Sequence, residues 1–396
     1  MYIYADNAAT TRMSETVAQA MIPYLTDNFG NPSSLHGIGQ RAKAALDDAR
    51  ERIAKCIGCR PDEIYFTSGG SEADNQAILS AAYAGRESGK THIISSAFEH
   101  HAVLHTLEVL KEEGFEITLL DVHESGVIDP AQVADAIRDD TALVTIMYAN
   151  NEIGTIQPIQ QIGEICRERG VTFHTDAVQA ISYLPVDVVT QNIDMLSLSA
   201  HKFHGPKGVG LLYVRNGVSV DSLIRGGAQE QGKRAGTENI PGIVGMAVAL
   251  EEAVAHRDEN NLILKNLQNR LIKGLSEIPY SQLNGDRNNR VPSNVSFCFE
   301  GIDGESLLLV LDSKEIAVSS GSACNSGSTD ASHVLLAIGR NDDIAHSGLR
   351  ISLGTDITTE QVDYIIKSVR ESVEYLRSFS PFWNDLLTGK RQHILI

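Results

Sequence analysis

The sequence has few cysteines, no long apolar run and a deficit of basic side chains. Its five cysteines among 396 residues are an odd and sparse set, which argues against a secreted disulfide scaffold and favours a reducing, cytoplasmic setting. No apolar stretch is long enough to span a bilayer, so no membrane association is predicted. The first residues show no basic and apolar leader, so a signal peptide is not predicted either.

The net charge argues against a nucleic-acid-binding protein, and the length argues against a single small domain. The chain has 33 Lys and Arg against 51 Asp and Glu, a net charge of −18, and direct nucleic-acid binding usually needs a basic face. A hydrophobic content of 42% is ordinary for a globular protein. At this length the chain exceeds one typical core, which predicts two domains.

Short apolar runs alternate with amphipathic helical patterns, which is typical of βαβ units and a mainly parallel sheet. The predicted strands cover residues 64–66, 91–94, 117–120, 143–147, 171–173, 195–198 and 209–213. After Leu250 the pattern changes to one long charged helix over residues 251–278, then to short strands and helices. This change predicts a second, smaller domain, with the N-terminal segment folded back onto it.

Two residues just beyond predicted strands point to a cofactor. In open parallel sheets, ligands bind beyond the carboxyl ends of the strands. Lys202 follows one such run among Ser, His and Gly residues, and Asp176 follows another. Pyridoxal phosphate needs both a Schiff-base lysine and a carboxylate for its pyridinium nitrogen. Alone, each residue would be read as a surface lysine or a helix-capping acid; together they predict a pyridoxal phosphate site.

Residues 66–75 have the pattern of a strand, a glycine turn and a helix start. Free N–H groups at a helix N-terminus, with a serine hydroxyl, can hold a phosphate. A plain turn in which Ser71 caps the helix is the alternative for this motif alone. Ser199, His201 and the run 234–237 would add donors to the same phosphate.

The roles of three further residues can be assigned only from the whole set of motifs. Gln179 shares a helical face with Asp176 and could hydrogen-bond a ring hydroxyl. His100 could stack on a ring or relay protons, and Arg350 is suited to bidentate carboxylate binding. In isolation they would be read as a solvated glutamine, a structural histidine and a surface ion pair.

The small, polar and glycine-containing run 319–328 predicts a mobile loop that exposes Cys324 as a reactive thiol. Cys56 and Cys59 have redox or metal-like spacing, but no second pair accompanies them. We interpret them as structural, with metal binding as the minor alternative, and predict no metal site.

In this order, the motifs resemble the pyridoxal-phosphate cysteine desulfurases of the NifS and IscS type, within the class V aminotransferase group of fold type I. The resemblance runs nearly end to end and also covers residues 5–11, 30–34, 99–100, 150–154 and 234–239. It implies an α/β fold. A large cofactor-binding domain, residues 16–255, would hold a mainly parallel seven-stranded sheet sandwiched by helices, and residues 1–15 and 256–396 would form a smaller α+β domain carrying the cysteine loop.

The resemblance implies a role for each matching residue. Lys202 would bond to the cofactor and move the α-proton, Asp176 would pair with the pyridine nitrogen, Gln179 with the ring oxygen, and His100 would stack on the ring and take part in catalysis. The implied phosphate ligands are Gly70, Ser71, Ser199, His201 and, from the other subunit of a homodimer, Thr237. Asn151 and Arg350 would bind the substrate carboxylate, and Cys324 would be the nucleophile.

The implied reaction converts L-cysteine to L-alanine and leaves the sulfur on Cys324 as a persulfide for a protein acceptor, such as an iron–sulfur scaffold or a thiolation relay. Alternatives are a selenocysteine lyase, another class V aminotransferase-like enzyme, and a pyridoxal-binding scaffold without catalysis. A plain aminotransferase has no use for a reactive loop cysteine. The chain departs from the usual pattern at Ala228 and Gly70, and residues 380–396 match no family motif.

Overall fold

The computed structural model describes residues 2–320 and 331–395, so the predicted nucleophile Cys324 lies outside the described residues. Within that part of the chain, strands β1 to β12 span Ile3–Tyr4, Ile64–Thr67, His92–Ser96, Glu116–Leu120, Thr141–Thr145, Thr172–Asp176, Met195–Ser199, Gly210–Val214, Ser281–Leu283, Asn294–Phe299, Ile316–Ala317 and Gly348–Ser352. Helices α1 to α13 span Glu15–Leu25, Gly37–Ile57, Gly70–Glu87, His101–Glu112, Pro130–Ala136, Ile159–Arg169, Ile240–Ala255, Arg257–Ser276, Gly304–Ser313, His333–Ala337, Asp342–Ala345, Thr359–Phe379 and Pro381–Leu387.

The central sheet has seven strands in the order β2-β8-β7-β6-β5-β3-β4. Strands β7, β6, β5, β3 and β4 run parallel, while β8 runs antiparallel to both of its neighbours. Each of the seven predicted strands is present. The predicted mainly parallel sheet is therefore confirmed, with β8 as its reversed strand.

Apolar cores cover both faces of this sheet. One core joins α2, α6 and α7 to it, and the other joins α3 and α4. Strands β5, β7 and β8 are buried along their whole length, as expected for strands covered on both faces. The predicted sandwich of helices around the sheet is confirmed.

A separate apolar core lies outside the central sheet. It packs α8, α9 and α12 against the antiparallel sheet β12-β10-β9, and Ile3 and Ala5 from the N-terminus join it. Strand β1 pairs with β11, so the N-terminal segment begins beside this second core. The domain boundaries themselves, 1–15, 16–255 and 256–396, stay a prediction.

The prediction of a single helix over residues 251–278 is wrong. The helix breaks at His256, so α7 ends at Ala255 and α8 begins at Arg257. The acidic pair Asp258 and Glu259 occupies the first turn of α8, where negative charge stabilises a helix N-terminus. Among the described helices, none is both long and apolar enough for a bilayer crossing.

Candidate active site

A cavity of about 240 Å³ opens at the carboxyl ends of β6 and β7, where Asp176 and Ser199 are the last strand residues. Eight of the nine predicted cofactor residues line it, together with Ala9, Asp74, Met147, Asn151 and Val178. The ninth, Thr237, is exposed and does not line it. The strand ends therefore bring together residues that lie far apart in the sequence.

The N-terminal segment holds the lysine of this cavity. Lys202 Nζ donates to the carbonyl oxygens of Ala8, at 2.6 Å, and Ala9, at 2.8 Å. Gln179 Nε2 donates to the same Ala8 oxygen at 2.9 Å. Thr11 anchors the segment because its N–H and its hydroxyl both donate to the carbonyl of His201. The sequence pattern included residues 5–11 in the motif set but did not reveal these contacts.

The glycine turn before α3 leaves room for an anion. Gly69 is the N-cap of this 18-residue helix and no side chain caps it. A Cβ on Gly70 would lie 2.9 Å from Val178 Cγ2, so a larger residue there would require the Val178 side chain to shift. Backbone N–H groups at an uncapped helix start, with the exposed Ser71, are the donors that a phosphate requires.

Acidic side chains form the deep wall. Asp176 is buried and accepts the Val178 N–H at 2.9 Å, and desolvation raises its pKa while Lys202 lowers it. Asp74 was missed by the motif analysis; it is buried beside Asp176, and burial together with that neighbour raises its pKa. Within the described residues, Asp74 Oδ1 has no hydrogen-bond partner.

The two buried acids indicate the charge of the group that would bind beside them. A cationic group beside them would favour their charged forms. The neighbouring His174 does not supply one, because burial lowers its pKa to about 3. The cavity therefore fits a compact ring with a protonatable nitrogen and a phosphate, and pyridoxal phosphate has both.

His100 is the N-cap of α4, and its Nδ1 accepts the Ala102 N–H at 3.1 Å. Desolvation, followed by the charge of Lys202, lowers the pKa of His100 to about 4. The ring is therefore neutral at neutral pH. Its place in the cavity wall is consistent with the predicted stacking role, which stays a prediction.

The predicted carboxylate-binding arginine does not line the cavity but contacts a residue that does. Arg350 on β12 is only 1% exposed, and its Nη2 donates to Asp6 at 3.0 Å. Its Nη1 donates to the Asn151 carbonyl oxygen at 3.3 Å, and Asn151 lines the cavity. Its Nε has no hydrogen-bond partner among the described residues. Asp6, which sequence reasoning missed, is thus the counter-ion of Arg350, and desolvation raises its pKa.

The other cysteines of the described chain are poor nucleophiles. Cys56, Cys59, Cys166 and Cys298 form no disulfide there. Burial raises the pKa of Cys56 to about 11 and that of Cys59 to about 12, so both stay protonated at neutral pH. Across residues 2–320 and 331–395, no group of three or more His, Cys, Asp and Glu is arranged to hold a metal ion.

Known proteins are similar to this chain in both sequence and fold. Residues 3–365 match the family described as aminotransferase class-V. A cysteine desulfurase IscS from Methanosarcina thermophila is 54% identical over 379 residues, 96% of this chain and 94% of that protein. A solved NifS-like protein superimposes with a TM-score of 0.89 at 39% identity, covering 95% of this chain and 100% of that one. A structure of SspA in complex with cysteine matches with a TM-score of 0.79 at 40% identity, covering 89% of this chain and 98% of that one.

Proposed function

The chain belongs to the class-V aminotransferase family, among its cysteine desulfurases of the NifS and IscS type, and from this premise we propose how its residues convert L-cysteine to L-alanine. The observation that carries the proposal is the cavity at the ends of β6 and β7. There an amine-bearing lysine, a buried carboxylate and an uncapped helix start face one small volume. Those are the three groups that a phosphorylated pyridine aldehyde needs.

In this proposal the cofactor is pyridoxal 5'-phosphate. Lys202 would be its covalent anchor, and Asp176 and Gln179 would bind the ring. The phosphate would be held by Gly70, Ser71, Ser199 and His201. The chemistry that the bound cofactor supplies is electron withdrawal from the substrate α-carbon.

The side chains around the substrate would each have a separate role in the reaction. The carbonyls of Ala8 and Ala9 hold Lys202 Nζ in place, where its amine would move the α-proton. Neutral His100 would cover the ring without adding a charge. Arg350, aided by Asn151, would bind the substrate carboxylate and so fix which bond faces the lysine.

The thiolate of Cys324 would attack the substrate sulfur. In that step the carbon–sulfur bond breaks, a sulfur–sulfur bond forms on Cys324, and the carbon skeleton takes up a proton and leaves as alanine. No outside oxidant is needed, because cysteine and an enzyme thiol become alanine and an enzyme persulfide. A protein acceptor, such as an iron–sulfur scaffold, would then take the sulfur, and the sparse cysteines favour a cytoplasmic setting.

We propose a homodimer in which each Thr237 serves the other subunit's site. Two observations favour this. Phe29 and Leu35 are large apolar side chains left exposed, Leu35 at 94%. A cavity of about 650 Å³ runs from the segment that carries Leu35 to Glu238, the neighbour of Thr237. Large exposed apolar side chains, together with a cavity that reaches the neighbour of an exposed threonine, are features that a partner subunit would cover.

The test is incubation of the purified protein with L-cysteine, with and without a reductant. Equimolar alanine and a mass gain of one sulfur on Cys324 are expected. A coloured, cofactor-containing protein that forms no alanine would contradict the proposal. Competition between L-cysteine and L-selenocysteine separates a desulfurase from a selenocysteine lyase, since the lyase would prefer the selenium substrate.

A further inference from the structure

Residues 226–237 form a segment, called here the arm, with an unusual backbone. Glu230, Gln231 and Gly232 have consecutive positive φ values of 46°, 56° and 78°. Two of these residues are not glycine, so the left-handed conformation is strained. Such strain persists only where the surroundings over-determine the conformation, and it concentrates at functional sites.

A buried ion pair holds the strained turn. Glu230 is 5% exposed, and its two carboxylate oxygens accept from Arg50 Nη1 and Nη2 at 2.9 and 2.6 Å. The same carboxylate accepts the N–H of Phe66, on β2, at 2.9 Å. The Arg50 guanidinium in turn lies 4.6 Å from the centre of the Phe66 ring. The turn is thereby fastened to α2 and to the edge strand of the central sheet.

A second anchor fastens the arm to the glycine turn of the cavity. Arg234 Nε donates to Glu72 at 2.9 Å, and Glu72 also accepts the Ser68 N–H at 2.8 Å. Glu72 lies in the first turn of α3, directly after Ser71. Gln76, one turn further along α3, donates to the Lys233 carbonyl oxygen at 2.8 Å.

The arm ends at Thr237, which is exposed and outside its own subunit's cavity. Gly236, with φ 101°, precedes it, and the Gly236 N–H donates to Gln229 Oε1 at 3.1 Å. This hydrogen bond joins the residue just before the strained turn to the residue just before Thr237. Thr237 itself does not line its own subunit's cavity.

We infer that Glu230 is a positioning residue that acts across the dimer: by fixing the arm, it holds Thr237 ready for the cofactor phosphate of the other subunit. This inference rests on the proposed function, in which Thr237 serves the partner's site. The Arg234–Glu72 pair provides the second fixed point. A rigid donor loses little conformational entropy on binding, so preorganisation would translate into cofactor affinity.

The experiment uses hybrid dimers with differently tagged subunits, in which one subunit carries Lys202→Ala. Only the intact subunit then forms the coloured cofactor adduct, and its dissociation constant for pyridoxal phosphate is measured from that absorbance. Glu230→Gln is placed either in the Lys202→Ala subunit, opposite the intact site, or in the intact subunit itself. Opposite placement is expected to weaken the intact site roughly tenfold, the loss typical of one hydrogen bond to a charged group. Same-subunit placement is expected to leave it within about twofold of the parent hybrid.

Equal weakening in both placements would overturn the inference, because it would show a merely structural role. Unchanged affinity in the opposite placement would overturn it too. Arg50→Lys, which keeps the charge but loses the paired contact, decides the question by the same criteria if the Glu230→Gln chain does not assemble. Thr237→Val opposite the intact site tests the underlying proposal. If Thr237→Val has no effect, the proposal that Thr237 binds the partner's cofactor phosphate is wrong. If it weakens cofactor binding while Glu230→Gln does not, only the positioning role of Glu230 is wrong.

Discussion

Arg350 gives the sharpest test of substrate recognition. We expect Arg350→Gln to lose most of the preference for substrates with a free carboxylate. Two of the Arg350 donor groups are incompletely hydrogen-bonded among the described residues. Nε has no hydrogen-bond partner among the described residues, and Nη1 makes only a 3.3 Å contact with the Asn151 carbonyl oxygen. Asp6 occupies Nη2.

The magnitude follows from those two donors. A hydrogen bond to a charged group contributes about 1.5–3 kcal/mol, so two would contribute about 3–6 kcal/mol. Because each 1.4 kcal/mol corresponds to about tenfold, kcat/KM should fall by roughly 10² to 10⁴. Asp6 competes with the substrate for the same guanidinium, which favours the lower end of this range.

The assay compares sulfide release from L-cysteine and from its methyl ester, which keeps the amine and the thiol but lacks the negative charge. The parent enzyme should prefer cysteine by about the factor given above, and Arg350→Gln should prefer it little. Arg340→Gln is the matched control, since Arg340 is also largely buried in the same half of the chain but pairs with Glu124 and Asn284. A variant at Arg350 that kept the full preference would refute the assignment. Thermal unfolding of both variants separates lost recognition from lost folding.

Three further outcomes are expected. Lys202→Ala should form no covalent cofactor adduct and no alanine, whereas activity in that variant would remove the lysine from the mechanism. Cys324→Ala should keep the cofactor absorbance and lose sulfur transfer, which mass spectrometry and sulfide assays can check. Burial raises the pKa of Glu99 to about 8, so its neutral form stabilises the fold fully below pH 4.5, and that contribution fades as the pH rises to about 8. Glu99→Gln should therefore flatten the decline in unfolding free energy over that window, and an unchanged slope in denaturant titrations would contradict this.

The central sheet could be predicted because all of its strands except the edge strand β4 are largely buried and appear as short apolar runs. Prediction was less accurate where polar residues end a buried strand. Strand β6 continues through His174 and Thr175 to Asp176, all buried, although the apolar pattern ends at Phe173. Such polar strand ends form the cavity, so the deviation coincides with the site.

The site residues that sequence reasoning missed differ in how they could have been found. Asp74 lies four residues after Gly70 on α3, so helical spacing alone places it on the face that lines the cavity. Asp6 has no such local signal. It reaches Arg350 only because its backbone bridges to Ser352 across the whole length of the chain. Long-range pairing of this kind is not encoded in any short window of sequence.

That long-range pairing links the two halves of the site. The hydroxyl oxygen of Ser352, which lies on the same strand as Arg350, accepts the Ala8 N–H at 2.9 Å. Two residues before Ala8, Asp6 accepts a hydrogen bond from Arg350. The carbonyl oxygens of Ala8 and Ala9 then hold Lys202. Residues 6–9 are thus a short stretch of backbone that is hydrogen-bonded at one end to the proposed carboxylate-binding arginine and at the other to the proposed cofactor lysine. We therefore expect a displacement of β12 relative to the central sheet to move the contacts of both charges, because the same four residues hold them.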